Sequence, residues 1–312
     1  LRGKGRAVAR LYILDTLNHI FRAFHALPTT LTAPDGRPTN AIYGVLGIMR
    51  SLWRTQHVEH FVAVFESLEP TFRSTLDPEY KAHRPPTAPE LKAQIPLVME
   101  LFKLLGIPTL SVEGFEADDV MATLAARSRA AGHGATLVSN DKDLAQVLAV
   151  GGEVDLLRLS GTGKNAKAEK VGPGEVCGVF GVPPELIPSW LALRGDPVDN
   201  IQGIAGIGQK TAVKLLMEGG DLPTLLDHPE LCGKFAPALR EHRDRLLRDL
   251  EIATVRLDVP LPFEGMPMDG FRPRPVAPQA ADYLRGLGMK TLLKGLEETL
   301  FPDPTLLDLW GD

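Results

Sequence analysis

Four short apolar runs in the first half of this chain each lead into a carboxylate, and that recurrence restricts the fold more than any other feature. Leu11 to Leu14 is followed by Asp15, Phe61 to Phe65 by Glu66, and Thr136 to Ser139 by Asp141 and Asp143. Thr109 to Val112 leads into GFEADD, Gly114 to Asp119, with Glu116, Asp118 and Asp119. Runs of this length read as buried strands. Segments with helical spacing lie between them, as from Ile42 through Val45, Leu46, Met49, Leu52 and Trp53. Strands alternating with helices predict an α/β fold with a mostly parallel sheet, and in such sheets ligands bind just beyond the carboxyl ends of the strands. One acid after one strand is ordinary turn chemistry, whereas four at successive strand ends define a common rim.

Such a rim needs positive charge. A helix N-terminus stabilises a carboxylate by about 0.3–1 kcal/mol, but two carboxylates about 4 Å apart repel by about 4 kcal/mol at an effective dielectric near 20. The chain must supply cations or recruit divalent metal. The formal net charge of −5 counts against a nucleic-acid partner. With the acids gathered round metal, however, the rest of the surface is net basic. Cys177 and Cys232 lie far apart without CxxC spacing, which excludes a zinc site or a disulfide framework. The histidines show no HExxH pattern, and His57 with His60 reads as a solvated helix end. No apolar run reaches the roughly 18 residues of a membrane span. The basic start LRGKGRAVAR has no signal-peptide core behind it, because Asp15 interrupts the run, so a cytoplasmic protein with no membrane partner is expected.

The stretch from Glu69 to Pro89 holds five prolines and little periodicity, with Arg73, Lys81, His83 and Arg84 set among Phe72 and Tyr80. Basic and aromatic residues on a long loop suit a phosphate backbone with unstacked bases; a solvated surface loop is the alternative. Leu91 to Leu105 returns to helical spacing, with Pro96 opening or kinking the helix. Val154 to Leu159 reads as a fifth strand, and the SGTGKNAK loop after it lacks the pattern of a Walker A phosphate loop. Beyond a Gly- and Pro-rich connection from Gly172 to Pro184, Asp196 and Asp199 add two acids. Gly203, Gly206 and Gly208 then allow a tight turn opening a helix with Lys210 and Thr211, a cradle for phosphate. Lys234 to Arg256 is helical and Arg-rich, and Ala280 to Leu300 reads as two short helices after a Pro-rich connection.

Together these residues resemble the 5′ nuclease domain found at the N-terminus of bacterial family A DNA polymerases, and the related phage and stand-alone flap endonucleases. The resemblance runs through RAFHA at 22–26, TNAIYG at 39–44, PTFR at 70–73, YKAHR at 80–84, GFEADD, DKDL at 141–144 and GDPVDNIQGIAGIGQKTA at 195–212. It implies a PIN-like 5′ nuclease fold: a mostly parallel twisted sheet with helices on both faces, a helical arch, and a helix-three-turn-helix region. The implied domains are a catalytic unit at 1–183 with the arch at about 69–96, a DNA-binding unit at 184–258, and a Pro-rich connection with C-terminal helices packing on the core at 259–312.

The implied activity is structure-specific 5′-3′ exonuclease and flap endonuclease cleavage of DNA in replication and repair, with two or more Mg²⁺ or Mn²⁺ ions. Asp15, Glu66, Glu116 and Asp118 would surround one ion. Asp141, Asp143, Asp196 and Asp199 would hold the second, with Asp119 in support. By the same resemblance Lys81 and Arg84 act on the scissile phosphate, and Arg22, Arg73 and Tyr80 grip the substrate. The turn at Gly203, Gly206 and Gly208, with Lys210 and Thr211, would hold duplex and a K⁺ ion. The implied partners are DNA with 5′ flaps or 5′ ends and a separate DNA polymerase, for a monomer at the nucleoid. Glu66 stands where the family usually has Asp, and Thr16 where it has Gly; neither change removes a charge. A structure-specific DNA-binding module without chemistry, or a PIN-like ribonuclease, would share many of these features.

Overall fold

In the computed structural model, which describes residues 8–160 and 167–289, the apolar runs become a six-stranded sheet in the order β3-β2-β1-β4-β5-β6. The strands are β1 (Arg10–Asp15), β2 (His60–Val64), β3 (Thr109–Leu110), β4 (Gly134–Val138), β5 (Val154–Ser160) and β6 (Lys167–Val171). The first five pair in parallel, and β6 returns antiparallel on β5.

Side-chain alternation along the strands makes two cores. Leu11, Ile13, Val62, Val64, Leu137 and Leu156 pack on one face against the helix Ala117–Ala130. Tyr12, Leu14, Phe61, Ala63, Val138 and Leu157 pack on the other against the helices Asn40–Thr55 and Pro89–Leu104. Burial on both faces explains why these strands read as continuous apolar runs. The first core continues into the second half of the chain through Trp190, Leu191 and Leu193 of the helix Ile187–Arg194 and Leu215 and Leu216 of the helix Gln209–Gly219.

The chain runs outward from β1 to β2 and β3, then returns to β4 on the other side of β1. The strand order therefore reverses at β1, and the crevice beyond the C-terminal ends of β1 and β4 is the predicted ligand position. Asp15 is the last residue of β1, and Asp141 and Asp143 follow β4 closely.

Several expectations need correction. β3 is only two residues long, because Val112 has already left the sheet. The connection after Gly172 contains a helix, Pro173–Phe180. Its proline sits in the first turn, where the missing N–H costs nothing, and Gly181 ends it with φ of 80°. The Arg-rich segment is two helices, Ala236–Glu241 and Arg243–Ala253, separated at His242. The expected helical arch is absent from residues 77–88, which form turns after a five-residue helix, Phe72–Leu76. Pro96 lies inside Pro89–Leu104, with Pro89 opening that helix. Of the two C-terminal helices only Ala280–Gly286 falls within the described residues; positions 290–300, and 161–166 of the SGTGKNAK loop, lie outside them.

Candidate active site

Asp15 leaves β1 and at once caps the next helix, Thr16–Ala26: one carboxylate oxygen accepts from the Asn18 amide at 3.2 Å and the other from Ser139 Oγ at 2.6 Å. Burial pushes its pKa up to about 6 despite these bonds. Glu66, just past β2, accepts from the Ala117 amide at the start of the helix Ala117–Ala130. Burial, followed by the Glu116 charge, pushes Glu66 up to about 7.

Glu116 precedes that helix and is surrounded by donors. Lys81 Nζ lies 2.8 Å from Oε1, Tyr80 donates its hydroxyl to Oε2 at 3.1 Å, and Arg73 Nη1 is 3.4 Å away. Asp118, in the first turn, is partly buried and accepts no hydrogen bond among the described residues. Its pKa is raised well above the carboxylate range, by burial first and then by the charges of Asp141, Asp15 and Glu66. Asp118 is therefore where the acids of β1, β2 and β4 meet electrostatically.

On the other flank, Asp141 accepts from the Asp143 amide at 2.9 Å. Lys142 Nζ bridges Asp143 at 3.0 Å and Asp196 at 2.5 Å. Burial, then Asp141, pushes Asp143 up to about 6. Arg84 pairs with Asp199 at 2.5 Å, and the Asp199 carbonyl accepts from the Lys81 amide at 3.3 Å. Lys81 and Asn200 both hold positive φ, 58° and 61°, a costly backbone state for residues with a side chain. Asn200 Nδ2 donates to the Glu79 carbonyl at 2.9 Å and helps fix both turns together. Burial works against the ammonium of Lys81, but Glu116 and Asp199 outweigh it and raise its pKa.

Two site expectations fail on geometry. Asp119 is 0% exposed and takes both Arg73 guanidinium nitrogens, at 2.5 and 2.8 Å, with the Arg256 and Glu116 amides. Its acceptor capacity is spent, so it cannot serve as a metal ligand. Arg73 is 2% exposed and also donates to the carbonyls of Ile252 and Thr254, so it cannot reach DNA. Tyr80, Lys81 and Arg84 do gather at the rim. Arg22 is exposed on the helix after β1 and donates to the Leu159 carbonyl at 3.4 Å, beside Asn140 and Lys142. The glycine turn lies elsewhere on the chain's second half. There Gly203 and Gly206 adopt φ of 66° and 84°, and a Cβ on Gly203 would come within 2.5 Å of the Arg194–Gly195 backbone. Gly208 caps the helix carrying exposed Lys210 and half-buried Thr211.

Among the described residues no three His, Cys, Asp or Glu side chains stand in ready metal-binding array. Lys81, Arg84 and Lys142 occupy some of the eight remaining rim acids, but Asp118 keeps a carboxylate without a donor. Hard oxygen donors in excess of the chain's own cations suit Mg²⁺ or Mn²⁺ chemically. Lys142 and Ser139 were not expected here. Lys142 stands within DKDL, but only the fold shows which acids it bridges.

The raised carboxylates set a sign for stability. A carboxyl whose folded pKa exceeds its unfolded value near 4 takes up a proton on folding, so its contribution weakens as pH rises through the folded pKa. With a chelator present, the Tm is expected to rise on going from pH 8 to 6.5, on the order of 2–4 °C, as Glu66, Asp118, Asp15 and Asp143 protonate. His19, buried and pushed down to about 4, opposes this only below about pH 6.5, its ordinary range. Millimolar Mg²⁺ should remove the rise. A Tm in chelator that falls over that interval would contradict the clustering.

Comparison with known proteins agrees with this geometry. The family model described as "5'-3' exonuclease, N-terminal resolvase-like domain" matches residues 10–180, and "5'-3' exonuclease, C-terminal SAM fold" matches 182–275. The chain is 42% identical to DNA polymerase I of Pseudomonas aeruginosa over 265 residues, 82% of this chain and 28% of that protein. It is 36% identical to a 5'-3' exonuclease of Aquifex aeolicus over 289 residues, 92% of this chain and 95% of that one. The chain thus spans under a third of the polymerase and nearly all of the exonuclease. In fold it is similar to the bacteriophage T5 flap endonuclease solved with DNA and metal ions, with TM-score 0.64, 22% identity, and 96% and 98% of the two chains covered.

Proposed function

The chain belongs to the 5′-3′ exonuclease family, and we propose that its rim of acids is the centre at which it hydrolyses DNA phosphodiester bonds at 5′ flaps and 5′ ends. The observation that carries this reading is Asp118, a carboxylate without a donor of its own, set among the charges of Asp15, Glu66 and Asp141. Asp15, Glu66, Glu116 and Asp118 would hold one divalent ion, and Asp141, Asp143, Asp196 and Asp199 a second, Mg²⁺ or Mn²⁺. Bound there, such ions lower the pKa of water and neutralise charge on attacking and leaving oxygens.

The chain's own residues position the substrate. Lys81 and Arg84 sit on one turn segment above the acids, each held by a carboxylate that a phosphate can replace as partner. Their charges would stabilise the developing charge on the scissile phosphate. Tyr80 braces Glu116 through its hydroxyl and lies under the Lys81 ammonium, 4.8 Å from the ring centre. The amides of the Gly203–Gly208 turn, with Lys210 and Thr211, would grip the duplex backbone from residues 184–258, and a K⁺ ion at this turn belongs to the same reading. A DNA polymerase is the proposed partner, and the chain acts as a monomer.

The test is one end-labelled flap duplex. Cleavage near the branch is expected with Mg²⁺ or Mn²⁺ and none with EDTA, while a matched RNA flap is cut poorly. Lys81→Ala should slow single-turnover cleavage by about 100-fold or more. Tight flap binding without cleavage under either metal would leave a DNA-binding module and end the catalytic reading.

A further inference from the structure

A recess of about 400 Å³ opens beside the acidic rim, with Arg22, Asn140, Lys142, Arg158, Trp190 and Arg194 among its walls. Asn140 and Lys142 bracket Asp141 in sequence, so recess and rim share a wall. Lys142 is committed to Asp143 and Asp196. The three arginines pair with no carboxylate among the described residues, in contrast to Arg73 and Arg84. Arg194 lies over the Trp190 ring at 4.5 Å, which fixes its guanidinium plane. Arg158 Nε, Arg194 Nη1 and Trp190 Nε1 are all buried without an acceptor among the described residues, and Trp190 is 3% exposed.

Buried donors without acceptors are costly, and three of them converge on one cavity with no anion of the chain to receive them. All are donors only, so the missing group is an acceptor and an anion. A guanidinium fork matches the geometry of phosphate oxygens. A phosphodiester brings one negative charge, whereas a phosphate monoester brings close to two and three terminal oxygens. The excess of three unpaired arginines therefore favours the monoester. In a protein that cleaves DNA at the adjoining rim, the monoester that arrives there is a strand's 5′ end.

We propose that this recess receives the 5′-terminal phosphate of a DNA strand, so that the enzyme distinguishes 5′-phosphorylated from 5′-hydroxyl ends at nicks and recessed termini. This rests on the nuclease reading above. Arg158 and Arg194 are the specificity-determining residues, with Trp190 as third donor and Arg22 at the mouth. A long flap carries its terminal phosphate away from the recess, and its phosphorylation state should not matter.

The test uses the full chain in EDTA, so that binding is read without cutting, and a fluorescent nicked duplex with either a 5′-phosphate or a 5′-hydroxyl at the nick. The phosphorylated nick is expected to bind about tenfold tighter or better, the size of one charge-assisted hydrogen bond. In the double variant Arg158→Gln with Arg194→Gln, the preference should collapse to within about twofold by the same arithmetic and the hydroxyl nick should bind as before. Arg194→Lys, which keeps the charge, should still prefer the phosphorylated nick. Equal wild-type affinity for the two nicks overturns the proposal. So does an equal loss on both nicks in the double variant, which would place an internal phosphodiester in the recess. Displacement of the phosphorylated nick by micromolar inorganic phosphate or deoxyadenosine 5′-monophosphate would make a free monoester the ligand, and also overturns it. Discrimination by a protein that fails to cut flaps would support the recess and sink the nuclease reading; cutting without discrimination does the reverse.

Discussion

Asp118→Asn is expected to lower single-turnover cleavage of a flap substrate on the order of a thousandfold, with binding of that substrate retained. The substitution keeps the size of the side chain and removes the charge that no donor of the chain satisfies. It should also raise the Tm in the presence of EDTA, because a partly buried carboxyl surrounded by Asp141, Asp15 and Glu66 opposes folding when ionised. The two readouts move in opposite directions, which separates this role from a structural one. Loss of cleavage together with a lower Tm would make Asp118 a packing residue.

The second large effect concerns Arg73. Arg73→Ala is expected to destabilise the protein by about 3–5 kcal/mol, the usual result of removing one partner of a buried ion pair. Asp119 would be left charged at 0% exposure, and the carbonyls of Ile252 and Thr254 would lose their donor. This one guanidinium ties the helix Phe72–Leu76, the helix bearing the rim acids and the end of Arg243–Ala253 to one another. Urea unfolding measures the effect. Unchanged stability with weaker DNA binding would restore Arg73 as a surface contact.

The rim was legible because each parallel strand is buried on both faces, and so leaves an uninterrupted apolar run whose end is marked by the first acid. Asp15, Glu66 and Asp141 needed only the inference that successive strands lie parallel. Asp119 was harder to place. It differs from Asp118 by one step of a helix, about 100° around the axis, which turns it from the crevice into the core, and GFEADD by itself does not fix that phase. Arg73 was assigned by its company of basic and aromatic residues, but a charged residue in a proline-rich segment is buried or exposed according to what lies across from it. Here that is Asp119, 46 residues away.

The helix Pro173–Phe180 was hidden because Gly174 and Gly178 lower its propensity, and packing of Val176 and Phe180 into the core supplies what propensity does not. The recess cations were hidden for a different reason. Arg22, Arg158 and Arg194 come from three distant segments and carry no common spacing, so only the closed fold brings them together.

The position of β1 bears on how the chain is made. It lies between β2 and β4, and its second neighbour, beginning at Gly134, is synthesised roughly 120 residues after Arg10, or on the order of 6–25 s at about 5–20 residues per second. Through that interval a nascent apolar segment waits at the ribosome with one row of amides and carbonyls open to pairing with any strand that passes. Chaperone occupancy of emerging chains, and a yield that improves when translation is slowed and crowding of polysomes reduced, should therefore be set by this one late-arriving partner.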